Sequence, residues 1–345
     1  MVYFRSDYSL GAHPEVMEAL IKTNEEHSDG YGLDIHSENA GRLVKELIGR
    51  EDVSVHMMVG GTPCNVTFIA AALRPYEGVV APRSAHIYSH ETGAVEATGH
   101  RIINFEGVDG KLTPEMIDKA FDEYEDEHTV VPKMVSISQP TEIGTIYSKN
   151  ELYAIRDKCK ERDMYLYIDG ARMGAALTCD EADFTLKDLG AIADGFYIGG
   201  TKNGALIGEA LVITNPEIDD HFRWMIKRSL GMLAKGKIIG VQLEALLEGG
   251  ENNLLSRIAR HENKMAKRLR EGLEEMGVSF YSKSPTNQIF PVFPKTVVEE
   301  LEKDFFFYRW APEKDGIIPV RFVTSWGTSE EDVDSLLARV KEVLI

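Results

Sequence analysis

FYIGGTKNGALIG, residues 196–208, runs from an apolar stretch into a cluster of glycines and out to an apolar stretch again, with Lys202 in its middle. Its flanks extend to GFYIG (195–199) and EALVIT (209–214), which read as two buried strands joined by a glycine-rich turn. A lysine on a solvated face needs no special reason. At the end of a buried strand, an ammonium must be paired, deprotonated or covalently linked. A desolvated lysine with a lowered pKa is a Schiff-base nucleophile.

Upstream, short apolar runs alternate with amphipathic ones. VSVHMMV (53–59), GVVAP (78–82), HRIINFE (100–106), KMVSISQ (133–139) and MYLYID (164–169) read as strands. TFIAAALR (67–74), PEMIDKAFDEY (114–124) and KNELYAIRDKCKERD (149–163) read as helices. This alternation predicts an α/β fold with a mostly parallel sheet covered on both faces. After Pro216 the pattern changes. WMIKRSLGMLAKGKIIGVQLEALLEG (224–249) and NLLSRIARHENKMAKRLREGLEEMG (253–277) read as long helices. VSFYSK, NQIFPVF and VRFVTSW read as short strands and SEEDVDSLLARVKEVLI as a closing helix. The expected division is a large domain over 1–245, including the N-terminal segment, and a small α+β domain over 246–345.

The 345 residues carry 56 acidic and 38 basic side chains, a formal net charge of −18, which argues against nucleic acid or an anionic membrane as partner. No apolar run has the length of a membrane span, and MVYFRSDYSLG does not read as a signal peptide. Three scattered cysteines, Cys64, Cys159 and Cys179, suit a reducing compartment, so the expected location is cytoplasmic.

Polar residues cluster at the C-terminal ends of the predicted strands, where open α/β sheets bind ligands. GGTPCN (60–65) follows the first strand and opens a helix. Gly60 and Gly61 let the backbone approach a ligand, Thr62 is a potential N-cap, and free helix amides favour a phosphate. A plain capped turn is the competing reading. Asp169 ends MYLYID, with Arg172 near enough for a structural Asp–Arg pair. His86 and Glu91 follow the second strand. His86, His90 and Glu91 are too few to make a metal site without a further carboxylate cluster or cysteine pair, so no metal is expected. A phosphate cradle, a histidine, a buried Asp and a buried Lys together are what pyridoxal 5′-phosphate requires. The lysine links to its aldehyde, the aspartate keeps its ring nitrogen protonated, the histidine stacks on the ring, and helix amides hold its phosphate.

With those residues in view, the chain resembles the threonine aldolase and β-eliminating lyase family, of the aspartate-aminotransferase fold type. The resemblance runs nearly end to end through FRSDYS (4–9), DGYGLD (29–34), GGTPCN (60–65), AHIYSHETG (85–93), IDGAR (168–172), GGTKNGA (199–205) and PVRFVTSW (319–326). It implies a large domain with a seven-stranded sheet. It also implies Gly61, Thr62 and Thr201 as phosphate contacts, His86 against the ring, Asp169 at the ring nitrogen and Lys202 as the Schiff-base lysine. Arg172 becomes a cation beside cofactor or substrate and Arg321 the clamp for the substrate carboxylate, a bidentate task suited to guanidinium. Ser6 and Tyr31 join the substrate set. Two segments depart from the family: QPTEIG (139–144) puts Glu142 where a histidine is expected, and SLGMLAKGK (229–237) replaces a GGGMRQ turn, leaving Arg228, Lys235 and Lys237 nearby. The pattern is closer to a divergent, phenylserine-aldolase-like branch.

The resemblance implies retro-aldol cleavage of a β-hydroxy-α-amino acid to glycine and an aldehyde, with His86 or Glu142 as base. Aminotransferase, racemase or β-eliminating lyase chemistry remains open on the same scaffold, as does a binding protein without catalysis. A homodimer or homotetramer with shared active sites is expected, with Tyr31 and Arg228 as candidates for residues donated across the interface.

Overall fold

Alternation of strands and helices between residues 54 and 213 closes into one seven-stranded sheet. The computed structural model describes residues 1–344. Across the sheet the strands run Ser54–Met58, Glu209–Ile213, Gly195–Gly199, Tyr165–Asp169, Val131–Ser138, Glu77–Pro82 and Ile102–Phe105. Glu209–Ile213 is antiparallel to both neighbours, and every other pairing is parallel.

The period-2 rule sorts the strand residues between two cores. Val80, Val135, Ile137, Leu166, Ile168, Phe196 and Val212 fill one. Val79, Ala81, Met134, Tyr167, Tyr197 and Leu211 fill the other. Both faces are covered, so the strands read as continuous apolar runs. Helices begin where the sequence supplies caps. Ser148 and Thr185 each form a reciprocal capping box, with Glu151 and Asp188.

The expected long helix over 224–249 is divided. Phe222–Arg228 ends at Ser229, and a second helix starts only at Lys237–Leu247. Leu230 takes a positive φ of 61°. Its N–H donates to the Lys227 carbonyl and that of Gly231 to the Ile226 carbonyl, which closes the first helix. Gly236 then passes directly against the backbone of Gly32, an approach that leaves no room for a side chain.

The last hundred residues build a four-stranded antiparallel sheet, ordered Tyr308–Arg309, Ile317–Val323, Gln288–Pro294 and Ser279–Ser282. The helix Leu254–Glu275 bridges the regions. Leu254, Leu255 and Ile258 belong to a core of the large sheet, whereas Met265, Ala266, Leu269 and Leu273 belong to the C-terminal core. The closing helix spans Glu330–Val343, and Ile345, the end of its expected range, lies outside the described residues. The N-terminal segment, read with the large domain, lies against the C-terminal one. Val2–Tyr3 pairs with Phe305–Phe306, and Phe4 is buried in the C-terminal core. Val2 packs against that core on the same side as Phe4, while Tyr3 between them is exposed. Among the described residues no helix is long and apolar enough to cross a membrane.

Candidate active site

Three strands of the large sheet end at one cavity of about 300 Å³. Its walls include Gly60, Gly61, Thr62, His86, Asp169, Thr201 and Lys202, and Glu142 closes one side. A second cavity of about 400 Å³ shares Tyr8, His86, Glu142 and Lys202 with the first and adds Arg172, Tyr308, Trp310 and Arg321. The predicted residues thus meet in one compound cleft, apart from two. Ser6 is buried and hydrogen-bonds Ser9 (Oγ···Oγ 2.8 Å), and Tyr31 is half exposed beside His56 and Arg223.

The phosphate-cradle reading needs one correction. Gly60 is the N-cap of the helix Gly61–Ala72, and Thr62 lies inside its first turn. No side chain caps this helix, so its first amides face the cavity without an intramolecular partner, as an anion site requires. Gly61 is demanded sterically, because a Cβ there would lie 2.7 Å from the Tyr197 hydroxyl.

That hydroxyl donates to Asp169 Oδ1 at 2.5 Å, joined by the Ala171 N–H at 3.0 Å. Asn65 Nδ2 donates to Asp169 Oδ2 at 3.1 Å and to Glu91 Oε1 at 2.7 Å. His86 Nδ1 donates to the same Glu91 oxygen at 2.8 Å. One hydrogen-bonded chain therefore fixes both the carboxylate under the cavity and the imidazole at its side. Burial opposes a charge on His86, but the Glu91 hydrogen bond and the charges of Glu142, Asp169 and Glu91 outweigh it and raise its pKa. Gly170 carries the turn after Asp169, where a Cβ would collide with the Tyr197 carbonyl oxygen.

Lys202 opens on the cavity with protein atoms around it. Burial and the Arg172 cation lower its pKa, with Asp7, Glu142 and Asp169 pulling the other way. The result is an amine readier to act as a nucleophile than a surface lysine. Asn203 braces the turn by donating to the Gly199 carbonyl at 2.6 Å.

Arg172 does not pair with Asp169. Its Nε and Nη2 donate to the two carboxylate oxygens of Asp7 at 2.6 and 3.1 Å, and Asn287 Nδ2 donates to Asp7 Oδ2 at 3.0 Å. Asp169 is already held by Tyr197, Asn65 and its own turn, which leaves Arg172 to the N-terminal carboxylate. Arg321 lies between the Tyr308 and Trp310 rings, 5.1 and 5.0 Å from their centroids. Its Nη1 reaches Gln288 Oε1 only at 3.5 Å, and its buried Nε has no partner among the described residues. A buried guanidinium with free donors is built for an incoming anion.

Asn65, Glu91, Tyr197, Asp7 and Tyr8 escaped the sequence reading as site residues. Asp7 and Tyr8 stood inside FRSDYS, and Asn65 and Glu91 inside quoted motifs, so their neighbours were the available signal. Tyr197 faces the cavity only through the pleat of its strand. Among the described residues no group of three or more His, Cys, Asp or Glu side chains is placed to hold a metal ion.

The cleft fits pyridoxal 5′-phosphate. It offers an amine of lowered pKa for the aldehyde, a fixed carboxylate below the ring position and uncapped helix amides for the phosphate.

A family model described as beta-eliminating lyase matches residues 3–295. The low specificity L-threonine aldolase of Pseudomonas aeruginosa is 30% identical over 99% of this chain and 97% of its own. A solved threonine aldolase structure from Leishmania major superposes with a TM-score of 0.98 at 41% identity, covering 100% of both chains. A Thermus thermophilus aspartate aminotransferase mutant matches with a TM-score of 0.73 at 19% identity, over 99% of this chain and 91% of its own, which places the fold in the aspartate-aminotransferase type.

Proposed function

The chain belongs to the beta-eliminating lyase family, and from that premise we propose that it is a pyridoxal 5′-phosphate-dependent aldolase. It cleaves a β-hydroxy-α-amino acid of the threonine, allo-threonine or phenylserine type to glycine and an aldehyde. The observation that carries the reading is the convergence of Lys202, Asp169 and the uncapped Gly60–Thr62 turn on one cavity, with Arg321 unpaired in the adjoining one.

Lys202 would hold the cofactor through its amine, Asp169 would serve its ring nitrogen, His86 its ring, and Gly61, Thr62 and Thr201 its phosphate. Bound there, the cofactor supplies an electrophilic aldehyde and a ring that accepts the electron pair released at Cα. Arg321 takes the substrate carboxylate, and the Tyr308 and Trp310 rings fix its plane. That anchor decides which Cα bond stands ready to break. Arg172, locked by Asp7, presents a second cation beside it. Glu142 borders both cavities and accepts the β-hydroxyl proton. His86, whose raised pKa keeps it protonated further toward neutrality, orients that hydroxyl. Lys202 returns a proton to Cα, which leaves glycine.

Exposed apolar side chains support a homodimer or homotetramer. Ile21, Leu33, Ile35, Trp224 and Leu230 are at least 58% exposed. Tyr31, outside the cleft of its own chain, and Arg228 are the residues assigned to a neighbour's site. Separate cores support two domains that meet within the helix Leu254–Glu275, whose Ile258 packs with the large sheet and whose Met265 packs with the C-terminal core. Three buried, free cysteines support a cytoplasmic location.

The test is aldehyde release by the cofactor-loaded protein from L- and D-threonine, their allo forms and phenylserine. Release from at least one, lost in Lys202→Ala, is expected. Silence across the panel with cofactor bound would exclude the aldolase and leave transamination, racemisation or β-elimination.

A further inference from the structure

Glu209 has no part in the chemistry above, yet it lines the first cavity. It is 5% exposed and opens the strand Glu209–Ile213. Through the sheet register it stands opposite Met58 on one side and Gly199 on the other. Those strands lead into the Gly60–Thr62 turn and the Thr201–Lys202 turn. The Glu209 backbone therefore lies between the two turns assigned to the phosphate, and its Oε2 accepts the Gly200 N–H at 2.6 Å. The neighbouring Thr201 hydroxyl accepts the Gly208 N–H at 3.1 Å.

An ionised carboxylate here would oppose the phosphate of the cofactor. Among the described residues of this chain Lys202 is the one lysine or arginine in the wall of this cavity, and its amine would be taken by the aldehyde. We propose that Glu209 is a residue of the phosphate end of the site, and that a phosphate dianion binds there only when Glu209 carries a proton. The inference rests on the pyridoxal phosphate reading of the cavity.

Several groups face Glu209. Burial pushes its pKa up to about 7, while hydrogen bonds from Thr201 and Gly200 and the charge of Lys202 pull it down. Burial above all, with the charge of Glu209 added, pushes up Cys64 on the helix Gly61–Ala72, Tyr197 on one adjoining strand and Tyr167 on the next. All three stay protonated near neutrality, so Glu209 is the member of this group that exchanges a proton there. A bound dianion raises its pKa further by repulsion. Phosphate binding is therefore linked to proton uptake above about pH 7, and affinity falls as pH rises.

The experiment measures binding, not turnover. Dissociation constants of pyridoxal 5′-phosphate and of pyridoxal, which lacks the phosphate, are taken from pH 6 to 9 for wild type and Glu209→Gln. Both ligands engage Lys202, so its titration cancels between them. Expected is equal affinity of the two proteins for the phosphorylated ligand at pH 6, with Glu209→Gln about tenfold tighter at pH 8.5. Pyridoxal should not distinguish them at any pH. A pH-independent ratio, or the same ratio for pyridoxal, would overturn the proposal. If Glu209→Gln does not fold, wild-type calorimetry at pH 8 in two buffers of different ionisation heat replaces it. Greater proton uptake with the phosphorylated ligand supports the proposal, and equal uptake overturns it. A wild type that binds neither ligand removes the cofactor reading and this inference with it, whereas binding without the proton difference removes this inference alone.

Discussion

The floor of the cleft and its far wall are built differently. The floor is made by strand ends of one sheet: Gly60–Thr62, Asp169 and Lys202 follow three strands whose order and register are fixed by backbone pairing. Asp169 there is fixed by three hydrogen bonds, and the free donors are backbone amides at a helix start. The far wall draws Tyr8, Glu142, Tyr308, Trp310 and Arg321 from places far apart in sequence. There Arg321 Nε and Gln288 Nε2 are buried without a partner among the described residues. A floor whose free donors sit on rigid, paired backbone suits a group that stays through many turnovers. A wall whose free donors sit on side chains suits one that arrives and leaves.

That contrast can be broken by substitution. The largest effect belongs to the floor. Lys202→Ala should lower aldehyde release by about a thousandfold or more, with loss of the cofactor's visible absorbance. Unaltered absorbance and rate would remove the lysine from its role. Asp7→Asn sits where floor and wall meet and leaves the buried Arg172 cation unpaired. It should destabilise the protein by about 3 kcal/mol in denaturant unfolding. The sign with pH follows from Asp7. Burial raises its pKa, but the charges of Arg172 and Lys202 and the hydrogen bonds from Arg172 and Asn287 outweigh this and lower it below 3.8. Its contribution is complete above the unfolded value and lost as pH falls through the lower folded one. The gap between wild type and Asp7→Asn should therefore narrow below about pH 4. Glu142→Gln, in the wall, should cost about a hundredfold in kcat, and an unchanged rate would pass the base's role to His86. Arg321→Lys keeps the charge and loses the fork. It should raise KM about tenfold with a smaller change in kcat, whereas equal falls in kcat and kcat/KM, with KM unchanged, would place the contact in the transition state.

The same contrast explains what the sequence makes legible. Lys202, Asp169 and Gly61 can be found because each lies at or just past the end of an apolar run, beside glycines. The chain within ten residues specifies such a site. The partner of Arg172 could not be found this way, because the nearby Asp169 is sated by Tyr197 and Asn65, and Asp7 arrives from 165 residues away. The division at Leu230 was hidden for a related reason. A helical apolar pattern continues on both sides of SLGMLAKG, and only the packing of Gly236 on Gly32 shows why the chain must leave the helix. FRSDYS points to Ser6 where Asp7 and Tyr8 are the residues of the cleft, since a motif marks a segment without saying which side chain turns inward.

The docking of residues 2–8 has a consequence for how the molecule comes into being. Val2–Tyr3 pairs with Phe305–Phe306, the Val323 N–H donates to the Phe4 carbonyl, and Asp7 then reaches Arg172. During synthesis these residues wait for some three hundred more before their β partners exist. Such long-range closure is slow, because the entropy of joining distant segments is lost before their contacts form. The large sheet can assemble around Lys202 while Arg172 still lacks its counter-ion, so competence for cofactor should precede competence for substrate in a refolding time course.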